Sequence, residues 1–150
     1  ESERALDDGA KELDMVVNIG QVLAGQWDAV TREISDIVRL AHGREAIVKV
    51  IFENCYLKDE HKIRLCWACA EAQADYVKTS TGYGTSGATV EDLKLMRTHT
   101  PPHIGVKAAG GVRDLDMLLV VRAIGVSRVG ASKTVEILEE CKKRLLIADC

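Results

Sequence analysis

Nowhere in the 150 residues does an apolar run approach the roughly 20 that a membrane helix requires, so neither a spanning segment nor a signal peptide is expected. Long basic runs are absent too. Twenty basic and 23 acidic residues, well mixed, leave a net charge of -3, which argues against a nucleic-acid footprint or a polybasic membrane patch. The longest cationic cluster, Lys142-Lys143-Arg144, lies in a late amphipathic stretch where it complements a helix C-terminus. Cys66-Trp67-Ala68-Cys69 has the outward form of a CxxC motif, but no second pair or paired histidines follow at metal-ligand spacing. A thioredoxin-like context is missing as well, so the two cysteines read as small apolar residues on a helix. No metal and no cofactor is expected. The cysteines are odd in number (Cys55, Cys66, Cys69, Cys141 and Cys150) and scattered through apolar segments, which implies reduced thiols and a cytoplasmic protein. No histidine pairs with Cys55, which reads as a packed loop residue; His42, His61, His99 and His103 read as solvent-facing.

What is present fits one soluble globular domain over residues 1–150, with 47% hydrophobic and 29% charged residues. Short β-branched runs alternate with helical segments, and no polar linker divides them. Strands are expected at 12–18, 46–52, 76–80, 104–108 and 127–130. Between them, Val30, Ile34, Ile37, Val38 and Ala41 recur at the spacing of one helical face. A helix from Asp59 is expected to carry Ile63, Cys66, Trp67 and Ala70 inward. Thr89 and Asp92 form a capping box, and Pro101-Pro102 stops the helix that follows. Asp114 caps a short helix, and a last helix carries Val135, Leu138, Cys141 and Leu145. Five strand-then-helix units predict an α/β fold with a parallel sheet and right-handed crossovers. Pattern alone allows a doubly wound sheet or a TIM barrel. Two features favour the barrel: no GxGxxG follows the first strand, and charged residues (Asp14, Lys49, Lys78, Lys107) sit within apolar strands, where alternation can turn them into a barrel interior.

Edge strands often carry one lysine as protection. Three in consecutive strands, after an aspartate in the strand before, call for another explanation. A lysine amine attacks a carbonyl only when neutral, and at its ordinary pKa of about 10.4 little is neutral at pH 7. A second ammonium nearby and partial burial both favour the neutral form. Two lysines on adjacent strands, about 5 Å apart along the sheet, meet that requirement. Lys78 and Lys107 are the candidates, with Asp14 able to handle protons.

These residues sit in segments that resemble deoxyribose-phosphate aldolases. They are Glu12-Leu13-Asp14-Met15-Val16-Val17-Asn18, Val48-Lys49-Val50-Ile51-Phe52-Glu53, Tyr76-Val77-Lys78-Thr79-Ser80-Thr81-Gly82-Tyr83-Gly84 and Gly105-Val106-Lys107-Ala108-Ala109-Gly110-Gly111-Val112-Arg113. They follow the family's order and spacing across nearly the whole chain. The resemblance implies a lyase that reversibly cleaves 2-deoxy-D-ribose 5-phosphate to glyceraldehyde 3-phosphate and acetaldehyde without metal. Lys78 matches the Schiff-base lysine, and Lys107 matches the second lysine, which depresses the pKa of the first. Asp14 matches the aspartate that relays protons with a water and Lys107, and Lys49 matches a supporting active-site lysine. Gly82, Gly84, Gly110, Gly111 and Ser132 lie where the family binds the sugar phosphate; Gly87 reads as a tight turn. Two departures stand out. Lys133 follows Ser132 where many relatives have a second small or hydroxyl residue, and Glu53-Asn54-Cys55-Tyr56-Leu57 lacks the glycine common after that acidic residue.

A whole barrel has eight βα units and about 250 residues. The five units here match the family's last five strands, and the chain opens Glu1-Ser2-Glu3-Arg4 as if inside a helix. The expectation is therefore a partial (β/α)8 barrel: a fragment of a longer polypeptide, or a short form that covers its open edges as a homo-oligomer. An inactive oligomeric scaffold derived from such an aldolase, and another Schiff-base aldolase, are the competing readings. Small phosphorylated sugars and aldehydes are the expected partners.

Overall fold

In the computed structural model, which describes residues 1–148, five strands form one parallel sheet. They are β1 (Glu12–Val16), β2 (Ile47–Ile51), β3 (Tyr76–Lys78), β4 (Gly105–Ala109) and β5 (Arg128–Gly130). Seven helices accompany them: α1 (Ser2–Asp7), α2 (Ile19–Leu23), α3 (Trp27–His42), α4 (Asp59–Glu71), α5 (Val90–His99), α6 (Leu115–Ile124) and α7 (Thr134–Ala148). A 3₁₀ turn at Asn54–Tyr56 follows β2.

The strands neighbour one another in chain order, 1-2-3-4-5. A doubly wound sheet needs a reversal of order, whereas consecutive right-handed crossovers without one keep every helix on the same side. Burial agrees with this. Leu13, Met15 and Val17, then Val48, Val50 and Phe52, then Val77, Val106 and Ala108 are buried and share one cluster with Val30, Ile34, Val38, Leu65, Cys66, Leu93 and Met96 from the helices. The alternate residues Glu12, Asp14, Lys49, Tyr76, Lys78, Lys107 and Arg128 turn to the other, helix-free face. The sheet is thus a curved wall, apolar towards its helices and charged on its concave side.

Local signals set the ends of elements. Asn18 leaves β1 and caps the short α2, accepting from Gln21 N at 3.1 Å; the expected strand to residue 18 stops two residues earlier for that reason. Thr89 caps α5 through Asp92 N at 3.1 Å. The Asp92 carboxylate does not complete the box but accepts from Lys62 at 2.6 Å. Asp114 caps α6 as expected, accepting from Met117 N at 2.8 Å.

Two helical faces differ from expectation. On α4 the buried residues are Lys62, Leu65, Cys66, Ala68 and Cys69, while Trp67 is 57% exposed. The face is rotated because Lys62 goes inward, held by Asp59 at 3.1 Å and Asp92 at 2.6 Å. Burial disfavours its charge, but the two carboxylates outweigh burial and raise its pKa. On α7, Ile137 is buried and Cys141 half-buried, whereas Val135, Leu138 and Leu145 are exposed. Met117, Leu119 and Val120 of α6 are exposed as well.

Leu65→Ala should cost about 2–5 kcal/mol in urea unfolding. Trp67→Ala, on the outer side of the same helix, should change stability by less than about 1 kcal/mol. The reverse order would restore the helix face expected from sequence.

Candidate active site

Register gathers the charged residues. Asp14 pairs with Lys49 across β1 and β2, and Lys78 with Lys107 across β3 and β4. All four project from the concave face and converge on the Asp14 carboxylate. Lys49 Nζ donates to Asp14 Oδ2 at 2.8 Å and Lys78 Nζ to Asp14 Oδ1 at 2.7 Å. Lys107 Nζ lies 3.9 Å from the same Oδ1, so the Lys78 and Lys107 ammonium groups can be no farther apart than those two distances combined.

Lys49 is 2% exposed and sits between two carboxylates, Glu12 at 3.0 Å and Asp14. It is no edge-protecting lysine, because β2 lies inside the sheet. A buried ammonium is stable only with such partners. Below it, Glu12 also accepts from Arg128 at 2.7 Å, linking the first and last strands across the concave face. The Arg128 guanidinium stacks over the Tyr76 ring at 4.7 Å. Sequence inspection singled out neither Glu12 nor Arg128. The signal was present in Glu12, two residues before Asp14 and so on the same strand face.

The charges bias one another. Partial burial opposes ionisation of Asp14, but hydrogen bonds from Lys49 and Lys78 outweigh it and hold its pKa below the ordinary carboxylate value. The Arg128 and Lys49 hydrogen bonds bring Glu12 down to about 2. Lys107 is the amine driven towards neutrality: burial lowers its pKa first, and the adjacent Lys78 charge lowers it further, against the weaker pull of Asp14.

The glycine loops divide into two groups. Loops after β3 and β4 are in backbone contact, with Ala88 N donating to Ala109 O at 3.1 Å and Gly110 O at 3.2 Å. A Cβ on Gly87 would lie 2.6 Å from the Gly110 carbonyl carbon, so Gly87 permits close loop packing rather than only a turn. Gly110 N donates to Gly130 O at 3.3 Å, bringing in β5. Gly82, Gly110 and Gly111 have φ of +98°, +72° and +80°, conformations that side chains rarely adopt. Gly84 instead faces the loop after β2: a Cβ there would stand 2.7 Å from Cys55 Sγ. Glu53, itself left-handed at φ 55° and buried, accepts from Thr81 N at 3.1 Å and from the Thr81 hydroxyl, tying that loop to the end of β3. Ser132 is exposed just before α7, and Lys133 pairs with Glu136 at 2.9 Å.

Cys66 and Cys69 are free, buried thiols; burial pushes Cys66 up to about 11 and also raises Cys69. Cys150 lies outside the described residues. His103 is exposed, but His61 is not solvent-facing: its Nδ1 accepts from Lys58 N at 3.2 Å at the start of α4, and its ring lies beside Trp27. His42 pairs with Asp75 at 2.9 Å, and the His99 ring meets Trp67 edge-on. Among the described residues, no helix is long and apolar enough to cross a membrane.

Comparisons with known proteins fit this geometry. A family model described as DeoC/LacD family aldolase matches residues 1–132. A curated protein named deoxyribose-phosphate aldolase from Rhodopirellula baltica is 61% identical over 145 residues, covering 97% of this chain and 60% of that protein. Another of that name, from Thermococcus gammatolerans, is 52% identical, covering 93% of this chain and 62% of that protein. Among solved structures, QR15, an aldolase, superposes with a TM-score of 0.88 at 38% identity, over 97% of this chain and 65% of that one. The deoxyribose phosphate aldolase from Aeropyrum pernix, described as a unique tetrameric structure, gives 0.82 at 36% identity, over 94% and 59%. The chain spans about three-fifths of the length of these curated relatives.

Asp14→Asn should cost about 1–3 kcal/mol at pH 7, because Lys49 keeps one carboxylate and the lysine cluster loses its shared anion. A depressed carboxylate pKa contributes stability above the unfolded value that is lost as pH falls through the folded one. Urea midpoints of wild type and Asp14→Asn should therefore converge below pH 3.8. A gap unchanged from pH 7 to pH 2 would show that Asp14 is not the group holding the cluster.

Proposed function

This chain belongs to the DeoC/LacD aldolase family, and on that premise we propose that its concave face performs class I aldolase chemistry. The reaction is reversible cleavage of 2-deoxy-D-ribose 5-phosphate into glyceraldehyde 3-phosphate and acetaldehyde, through a Schiff base on Lys78. The observation that carries this reading is the convergence of Lys78 and Lys107 on one oxygen of Asp14.

The neutral Lys78 amine adds to the aldehyde carbon of the open-chain sugar, and loss of water leaves an iminium. That cation draws in the electron pair of the C2–C3 bond as the bond breaks. The C3 hydroxyl gives up its proton and becomes the aldehyde of glyceraldehyde 3-phosphate. The electron pair rests at C2 as an enamine; protonation there and addition of water return acetaldehyde and the free amine. Each step needs a proton acceptor or donor at the reacting atoms. Lys107, whose pKa is lowered by burial and by the adjacent Lys78 charge, can accept and return a proton, and Asp14 relays it with a water. Lys49, held between Glu12 and Asp14, keeps the relay carboxylate ionised and in place.

Charge supports a phosphorylated substrate. Before either amine gives up its proton, four cations (Lys49, Lys78, Lys107 and Arg128) face two carboxylates (Glu12 and Asp14), a surplus that favours the approach of a phosphate dianion. The phosphate group is assigned to the loops of Gly82, Gly84, Gly110, Gly111 and to Ser132 before α7. Glycine backbone that an anion can approach closely and the N-terminus of α7 favour an anion there. Gly110 and Gly111 are the strongest members, because their positive φ values turn the backbone at the end of β4. We take residues 1–150 as one domain carrying five of the eight barrel units. The other three come from elsewhere in the polypeptide or a second copy, covering the exposed apolar residues of α6 and α7. The cytoplasm suits its unpaired thiols.

Incubation with acetaldehyde and borohydride should leave a reduced adduct on Lys78 alone, read by peptide mass spectrometry. An unmodified Lys78 would refute the Schiff-base assignment. Lys107→Leu should lower turnover near pH 7 by about 100-fold or more. It should also move the acid limb of the pH–rate profile to higher pH, since a cation that disfavours ammonium forms is gone. A profile with an unmoved acid limb would exclude the electrostatic role of Lys107.

A further inference from the structure

Beneath the proposed reacting groups lies a second charged layer that the chemistry above does not use directly. Glu12 precedes Asp14 by two residues on β1 and shares its face. Its Oε2 accepts from Arg128 at 2.7 Å and from Lys49 at 3.0 Å. Lys49 in turn occupies Asp14 Oδ2, which leaves Oδ1 to Lys78 and Lys107. A lysine only 2% exposed has no water to fall back on. With one carboxylate missing it would draw fully on Asp14, and the geometry at Oδ1 would change.

Arg128 is itself held on the concave face. It stacks on the Tyr76 ring, and that ring lies so close over β4 that a Cβ on Gly105 would come within 2.2 Å of it. Gly105 therefore makes room for Tyr76, Tyr76 supports Arg128, and Arg128 reaches across the sheet to Glu12. The contact joins residues 116 apart in sequence, on strands that share no hydrogen-bonded edge. Both partners are more than a third exposed, so the pair contributes little to stability as an ion pair. Its consequence is orientation.

We propose that Glu12, fastened by Arg128, is a positioning residue that fixes Lys49 and through it presents Asp14 to the Lys78–Lys107 pair. The inference rests on the Schiff-base reading of that pair. The groups facing it are Asp14 on β1, Lys49 on β2, Tyr76 and Lys78 on β3, Lys107 on β4 and Arg128 on β5.

The test compares wild type with Glu12→Gln, Arg128→Met and Arg128→Lys. Two quantities are read between pH 5 and 11: the rate of borohydride-trapped acetaldehyde adduct at Lys78, and the side-chain NMR titration of Lys107. Both Glu12→Gln and Arg128→Met should slow trapping by about tenfold to 100-fold, the scale of a misplaced reacting group. Their titrations should move in opposite directions. Glu12→Gln removes an anion and shifts the Lys107 midpoint to lower pH; Arg128→Met removes a cation and shifts it to higher pH. Arg128→Lys should restore most of the trapping rate. A merely structural role would lower the folded fraction and leave the trapping rate of the folded molecules unchanged.

Wild-type trapping rates and an unmoved Lys107 midpoint in Glu12→Gln would overturn the proposal. Wild type that forms no adduct at Lys78 would instead remove the Schiff-base reading. The Lys107 titration then still decides whether the Glu12 layer acts on the amine pair. Should Glu12→Gln not fold, the two Arg128 variants carry the same comparison.

Discussion

One carboxylate, Asp14, serves as counter-ion to three ammonium groups, and the charged residues of the concave face are arranged around it. Like charges at such separations repel by several kcal/mol at the effective dielectric of about 20 that suits protein sites. Asp14 meets Lys49 and Lys78 directly and Lys107 at longer range. Burial lowers the Lys107 pKa first, and the repulsion of Lys78 lowers it further, only partly offset by Asp14 at 3.9 Å. A single anion placed asymmetrically thus puts the three amines in different surroundings.

The same constraint explains the two-sided character of the wall. A strand alternates its side chains, so a sheet with charges on one face must bury apolar residues on the other. Val48 and Val50 flank Lys49, Val77 precedes Lys78, and Val106 precedes Lys107; all four valines are fully buried. The helices cover that apolar side, and sequential strand order keeps them from covering the charged one. Glycine does the corresponding work at the C-terminal ends of the strands. Gly87 and Gly110 let two loops touch backbone to backbone, while Gly105 clears space for the Tyr76 ring lower down.

Much of this was legible in the sequence because it rests on periodicity. The five strands, the parallel order and the common face of Asp14, Lys78 and Lys107 follow from alternation and from βα spacing. What escaped depends on partners distant in the chain. Lys62 goes inward because Asp92, 30 residues away, receives it, and no charge-based reading of α4 alone could place it there. Trp67 turns outward as the other half of that rotation. Arg128 lay unnoticed in a three-residue strand, since its meaning comes from Glu12 on the opposite edge. Gly84 packs against Cys55 and Glu53, contacts with the loop after β2 that its place after β3 does not announce. Short α2 was missed because Asn18, a cap, closely resembles the end of a strand in composition.

The division between the two layers of charge bears on how such a face can hold reactive amines without collapsing. A proton relay needs its carboxylate ionised, which calls for nearby cations; a nucleophilic amine needs to lose its proton, which calls for few anions. Placing all the charges in one layer would set these demands against each other. Here Lys49 is nearly sealed from solvent and bonds both carboxylates, and its hydrogen bond to Asp14 favours the ionised form of that carboxylate. Glu12 absorbs part of the Lys49 charge from below, and Arg128 absorbs part of Glu12's. Arg128 stands beside Lys107 in the β4–β5 register, yet its guanidinium is bonded to Glu12, so its charge is met by a carboxylate. The counter-charges that hold Asp14 thus form one chain, from Arg128 through Glu12 and Lys49, with Lys107 3.9 Å from the carboxylate at its end.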